Sequence, residues 1–316
     1  MANLGYIQVT RQCTQRCRFC SNPPVEAERS LDEARALVDD LKGHAYDGVI
    51  LTGGEPTLAP FLLELVAYCH AVSLPPRLIT NGTLLCEPDR LDRLLDAGLG
   101  HVHLSIHSHL PDLHDALTRN PGSHAALVRT LESIGDRLDR VTADVNAVMT
   151  TENAGRLDEL VAWVIERFPF VRHFVLNGLD PETDRLREAP ELIPRLWQVE
   201  VPLARAARRV EASGRTLRVE RVPLCYMQGF EHCSTETRKL IKAEERTTHF
   251  LDRRGAVRQG PGGFVHRHHP ACEPCTLRPI CAGLQDACDA YDPAELAAQF
   301  VDPEPIRRRV LERRGR

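Results

Sequence analysis

Cys13, Cys17 and Cys20 stand in the stretch Arg11-Gln12-Cys13-Thr14-Gln15-Arg16-Cys17-Arg18-Phe19-Cys20, a C-x3-C-x2-C spacing inside eight residues. Thiolates are the soft ligands iron prefers, and so short a loop can turn all three inward around one inorganic cube. Three is the informative number. Structural zinc and electron-transfer clusters take four protein ligands, so three cysteines with no fourth nearby leave one iron open to something else. By spacing alone the loop also fits a zinc site.

Thr52-Gly53-Gly54-Glu55-Pro56 follows the next apolar run, Asp47 to Leu51. Paired glycines permit close backbone approach to a ligand, and the Glu55 carboxylate can accept from an ammonium group. Read alone it is a turn. Together the two stretches resemble the radical S-adenosylmethionine (SAM) superfamily. That family's C-x3-C-x-aromatic-C signature has Phe19 in the aromatic place, and its GGE motif lies at the end of the second strand, here about 33 residues beyond Cys20. The resemblance implies a [4Fe–4S] cluster on Cys13, Cys17 and Cys20. Its open iron binds the amino and carboxylate groups of SAM, and one electron splits SAM into methionine and a 5′-deoxyadenosyl radical. It further implies that Gly53, Gly54 and Glu55 hold the SAM amino group, that Asn81 and Ser105 contact carboxylate and ribose, that Asn146 and Val148 contact ribose and adenine, and that Phe19 shields adenine or cluster.

These residues must be positioned by strands and helices that the periodicity locates. Residues 4 to 10 alternate like a strand, with the cysteine loop at its carboxyl end. Ser30 and Glu33 form a capping box ahead of a helix whose buried stripe is Leu31, Ala34, Leu37, Val38 and Leu41. The unit repeats: strands at 47–51, 77–80, 101–106, 141–149 and 171–176 alternate with helices at 60–71, 88–97, about 123–138, 153–167 and 190–213. Six such units predict parallel strands with right-handed crossovers and are too few for a full (β/α)8 barrel. The resemblance implies a partial, TIM-like (β/α)6 barrel with the chemistry at the carboxyl ends of the strands. His101, His103, His107, His109 and His114 cluster on and after the fourth strand, with His101 and His103 on one face. Polar packing or substrate contact is favoured over a second metal there.

Beyond a boundary placed at 216 the pattern changes. Leu217 to Val222 reads as a strand, and His249 to Arg258 as a hairpin turning near Gly255. Cys272, Cys275 and Cys281 give C-x2-C-x5-C, and three clustered thiolates plus one distant one can fully ligate a four-iron cluster. The arrangement resembles the SPASM and Twitch extensions of radical SAM enzymes, with Gln285 where the full pattern has a cysteine. It implies one auxiliary [4Fe–4S] cluster with Cys225 as fourth ligand, Cys233 or Cys288 being next in line for that place. A structural zinc on the same four cysteines is the alternative. The expected division is a barrel over 1–216 and a small iron–sulfur extension with a C-terminal helix over 217–316.

The 316 residues carry a formal net charge of −4, with 42% hydrophobic and 27% charged side chains. That is the composition of a globular protein with no general attraction to nucleic acid or anionic membrane. No apolar run approaches a membrane span and no signal peptide is visible, so a cytoplasmic setting is expected. There eleven cysteines are metal ligands or reactive thiols rather than disulfides. The basic end, Arg307 to Arg309 and Arg313 to Arg316, reads as the solvated end of a helix. The expected function is a radical SAM oxidoreductase, charged by an external donor such as flavodoxin or ferredoxin, that abstracts hydrogen from a peptide or small-molecule substrate, the auxiliary cluster assisting oxidation. No leader-peptide-binding domain fits before the first strand. Two rivals are a non-catalytic iron–sulfur electron carrier or redox sensor and a zinc-stapled scaffold.

Overall fold

A computed structural model describes residues 3–22, 25–181, 183–244, 246–252, 255–259, 266–285 and 290–312. Cys288 and Arg313 to Arg316 therefore lie outside the described residues. In chain order the elements are β1 (Leu4–Thr10), α1 (Leu31–Gly43), β2 (Gly48–Gly53), α2 (Leu62–Ala71), β3 (Pro76–Thr80), α3 (Pro88–Asp96), β4 (His101–Ser105), α4 (Pro111–Thr118) and α5 (Ser123–Gly135). There follow β5 (Thr142–Val148), α6 (Leu157–Arg167), β6 (His173–Asn177), α7 (Asp184–Glu188), α8 (Leu196–Ala212), β7 (Thr216–Glu220), α9 (Thr235–Lys242), β8 (Arg246–His249), β9 (Val257–Gln259), β10 (His266–Arg267), β11 (Leu284–Gln285) and α10 (Glu304–Glu312).

Local chemistry explains the helix starts. Ser30 accepts from the Glu33 amide while the Glu33 carboxylate accepts from the Ser30 amide, and α1 buries Ala34, Val38 and Leu41. Asp115 accepts from the amides of Gly122 and His124 and from the Ser123 hydroxyl, capping α5 across the turn.

One sheet runs β7-β6-β5-β4-β3-β2-β1-β8-β9; its first eight strands are parallel, and β9 returns antiparallel to β8. Along β4 to β7 buried and half-buried residues alternate. The buried set, Val102, Leu104, Val145 and Leu217 among them, belongs to the continuous core shared with the helices, and the half-buried set faces the lumen. The sheet curls until its ends meet: Arg246 on β8 reaches Glu220 on β7 at 3.3 Å and lies over the Tyr6 ring.

The partial barrel is thus as expected, but it is larger than six strands. The strand expected at 217–222 pairs with β6 and the first strand of the hairpin pairs with β1, so the sheet continues past residue 216. Adjacency between β8 and β1 joins residues some 240 positions apart, which no local periodicity encodes. α10 buries Ile306 and Val310, and Arg309 pairs with Glu211 at 2.8 Å.

Candidate active site

The cysteine loop leaves the carboxyl end of β1 and is pinned on two sides. Gly54 and Glu55 donate their amides to the carbonyls of Thr10 and Gln12, both at 2.7 Å, and the Arg16 and Arg18 amides bond the last carbonyls of α4. Arg185 on α7 donates to the Cys17 carbonyl at 2.6 Å. The amides of Gln15 and Asn22 point at the sulfurs of Cys13 and Cys20, each at 3.4 Å.

Burial pushes the Cys17 thiol up to about 12, and the charges of Cys20 and Cys13 add to it; burial likewise raises Cys13, where Glu55 and Cys20 contribute. Three thiolates this close repel one another until a soft cation neutralises them, which is the donor chemistry of an iron–sulfur cluster.

The glycine pair lets two stretches of backbone pack directly against each other. Gly53 has φ +142°, and a Cβ there would stand 2.0 Å from the Thr10 carbonyl oxygen; one on Gly54 would stand 2.2 Å from that of Gln12. Close approach is to the cysteine loop's own backbone. Glu55 is fully buried, with Oε1 accepting from the Thr57 amide (3.1 Å), the Thr57 hydroxyl (2.6 Å) and the Thr80 hydroxyl (2.7 Å). Its Oε2 accepts from the Asn81 amide at 2.8 Å. Burial raises this carboxyl while its four donors pull it down. Oε2 thus takes one donor against three on Oε1, leaving it a further acceptor position.

Asn81 carries the connection onward, its Nδ2 reaching Thr14 Oγ1 at 3.0 Å and Cys13 Sγ at 3.7 Å. Cys13, Asn81 and Glu55 thus form one network at the ends of β1, β2 and β3. On the neighbouring strands Asn146 Nδ2 donates to Ser105 Oγ at 3.1 Å. Phe19, Val148 and Cys17 share a small apolar cluster with Leu117 and Leu192, and the Phe19 ring meets His107 edge-on at 4.7 Å. The sequence reading missed Thr57, Thr80 and Arg185. A carboxylate placed at a buried strand end demands donors, and Thr80-Asn81 at the next strand end was the available signal.

At the other cysteine set, Cys225, Cys272, Cys275 and Cys281 line one small cavity. Burial pushes Cys225 up to about 11, with Cys281 and Cys272 adding charge. Amides of Gly283 and Gln299 point at the sulfurs of Cys281 and Cys275, each at 3.3 Å, the pattern by which backbone tunes cluster potentials. Cys233 is buried elsewhere, its sulfur 3.6 Å from His232 Nε2. At the edge of this cavity His268 donates its Nε2–H to the Cys281 carbonyl oxygen at 3.0 Å.

A sequence profile of the radical SAM superfamily matches residues 7–164. The chain belongs to the radical SAM superfamily. Similar proteins include the PqqA peptide cyclase of Bradyrhizobium diazoefficiens, 33% identical over 165 residues, which are 51% of this chain and 42% of that protein. The AdoMet-dependent heme synthase of Oleidesulfovibrio alaskensis is 29% identical over 46% of this chain and 38% of its own. The matched region therefore spans well under half of these relatives. Among solved structures, native anSMEcpe with bound AdoMet and Kp18Cys peptide superposes with a TM-score of 0.64 at 14% identity, covering 98% of this chain and 96% of that one. Streptococcus suis SuiB bound to precursor peptide SuiA gives 0.57 at 16% identity over 69% of this chain and 48% of that one. At such identities the likeness concerns the fold. No helix among the described residues of this radical SAM protein is long and apolar enough to cross a membrane.

Proposed function

We propose that this chain is a radical SAM enzyme that removes hydrogen from a peptide substrate and oxidises it. The observation that carries this reading is the continuous network from Cys13 through Asn81 to Glu55, which ties the three-thiol loop to the candidate SAM-binding strand ends. When bound, a [4Fe–4S] cluster and SAM supply reductive cleavage of SAM to a 5′-deoxyadenosyl radical, with flavodoxin or ferredoxin as the class of electron donor. Cys13, Cys17 and Cys20 hold the cluster. The free acceptor position of Glu55 takes the SAM amino group beside the backbone of Gly53 and Gly54, Asn81 faces its carboxylate, Ser105 and Asn146 its ribose, and Val148 and Phe19 wall its adenine.

Cys225, Cys272, Cys275 and Cys281 hold an auxiliary [4Fe–4S] cluster that takes up the substrate electron. In this division residues 1–216 carry radical generation and 217–316 the auxiliary cluster, while β7 and β8 of the second part complete the sheet of the first. The peptide reading is supported by the relatives whose names contain a peptide substrate.

The test is isotopic. Under anaerobic conditions with SAM and dithionite, a deuterated peptide library should pass deuterium into 5′-deoxyadenosine. Transfer from deuterated small metabolites but never from peptides would overturn the peptide assignment. Iron analysis tests the auxiliary site: Cys225→Ala should lose about four irons per chain, whereas Cys233→Ala should lose none.

A further inference from the structure

A cavity of ≈1160 Å³ occupies the lumen at the amino ends of the strands, opposite the cysteine loop. Barrel lumens are ordinarily filled with branched apolar side chains. Among apolar residues such as Ile50, Leu78 and Val175, this one also holds His101, His103, Asp144, His173 and the Arg246–Glu220 pair.

The strand register places these groups. β4 and β5 pair with His101 opposite Thr142, His103 opposite Asp144, and Ser105 opposite Asn146. All six belong to the half-exposed or exposed side of their strands, so they share the lumen face. The His103–Asp144 level lies two residues, about 7 Å, beneath the Ser105–Asn146 pair.

One ligand atom from each of His101, His103 and Asp144 lies within 4.8 Å of the other two, and His101 Nε2 stands 3.2 Å from Asp144 Oδ2. His101 Nδ1 lies 2.8 Å from the Thr142 hydroxyl oxygen, which leaves Nε2 as the ring atom that faces Asp144. At that separation either the Nε2 proton or a metal cation joins the nitrogen to the carboxylate. On β6 the arrangement recurs: His173 Nδ1 lies 2.8 Å from Thr216 Oγ1, which donates to the Arg172 carbonyl at 3.3 Å, again turning Nε2 outward from the hydroxyl.

We propose that His101, His103 and Asp144 form a binding site for one divalent transition-metal ion of the zinc class, with its remaining coordination positions open to the cavity. Two imidazoles and one carboxylate suit zinc, iron(II) or nickel rather than magnesium or calcium. The Thr142 hydroxyl, 2.8 Å from His101 Nδ1, is the outer partner that orients the ring, as ligating histidines require. The inference is independent of SAM chemistry, and it differs from the expectation of polar packing or substrate contact for these histidines.

The test uses the full, cluster-loaded chain, dialysed anaerobically against zinc. One zinc per chain should be retained, with a zinc-edge X-ray absorption spectrum showing imidazole nitrogen and oxygen at about 2.0–2.1 Å. Affinity should fall at least tenfold in His103→Gln and in Asp144→Asn at unchanged iron content. No retained zinc would overturn the site in favour of a direct His101–Asp144 hydrogen bond. A sulfur shell at about 2.3 Å, or equal retention in both variants, would overturn it as well. Should the variants fold poorly, the wild-type spectrum decides alone.

Discussion

The Asn81 backbone amide donates to Glu55 Oε2 at 2.8 Å, and its side-chain amide reaches Cys13 Sγ at 3.7 Å. One residue thereby links a buried carboxylate just beyond the second strand to a thiol just beyond the first.

Replacing Glu55 should therefore damage more than SAM binding. Glu55→Ala leaves the Thr57 amide and hydroxyl, the Thr80 hydroxyl and the Asn81 amide without their acceptor inside the protein. Such losses cost about 3–5 kcal/mol in total. Denaturant unfolding should register that loss, and iron retention should fall together with SAM affinity. A variant of unchanged stability and full iron content would show that the network has no structural role.

The two glycines should tolerate no side chain. A Cβ on Gly54 would meet backbone atoms of Gln12 and Arg11 at 2.2–2.7 Å, and backbone pinned by hydrogen bonds cannot step aside. Gly54→Ala should prevent cluster assembly, read as brown colour and iron per chain. Gly43→Ala is the control: it ends α1 with open space around it and should stabilise by about 0.5–1 kcal/mol. Normal cluster loading of Gly54→Ala would contradict the steric account.

Acid should destabilise the fold through His114. This ring is fully buried, burial lowers its pKa from 6.5 to about 4 with His124 adding to the effect, and its Nδ1 accepts from the His107 amide at 3.2 Å. Between those values the unfolded chain binds the extra proton and the folded chain does not. Stability therefore falls as pH drops below about 6.5, at up to about 1.4 kcal/mol per pH unit, and levels off below about 4. Between about pH 7 and pH 5.5 the His114 share is about 1 kcal/mol. Denaturation at both pH values should show a shallower loss for His114→Asn; an identical loss would remove His114 as the cause.

The strand–helix series was legible because its signals are local. Alternation in β4 and β5, the Ser30–Glu33 capping box and the Gly98 stop (φ +104°) after α3 each depend on a few neighbouring residues. That Cys225 lines one cavity with Cys272, Cys275 and Cys281 agrees with the order that the resemblance to SPASM and Twitch extensions implies, and no local signal selects Cys225 over Cys233 or Cys288. What escaped was long-range. Nothing near Arg246 announces that β8 lies beside β1, and nothing in Gly53-Gly54 distinguishes approach to a ligand from approach to Thr10 and Gln12. α4 was overlooked because Pro111 and the histidines read as a loop, although Pro at the first helical position is a start signal.

The measurement that tests the central claim most directly is 5′-deoxyadenosine formation by anaerobically reconstituted protein given SAM and dithionite, beside the Cys13, Cys17 and Cys20 to Ala triple variant. The account predicts 5′-deoxyadenosine from the parent chain and none from the variant. A brown, fully loaded parent protein that binds SAM yet forms none, with or without peptide, would contradict it.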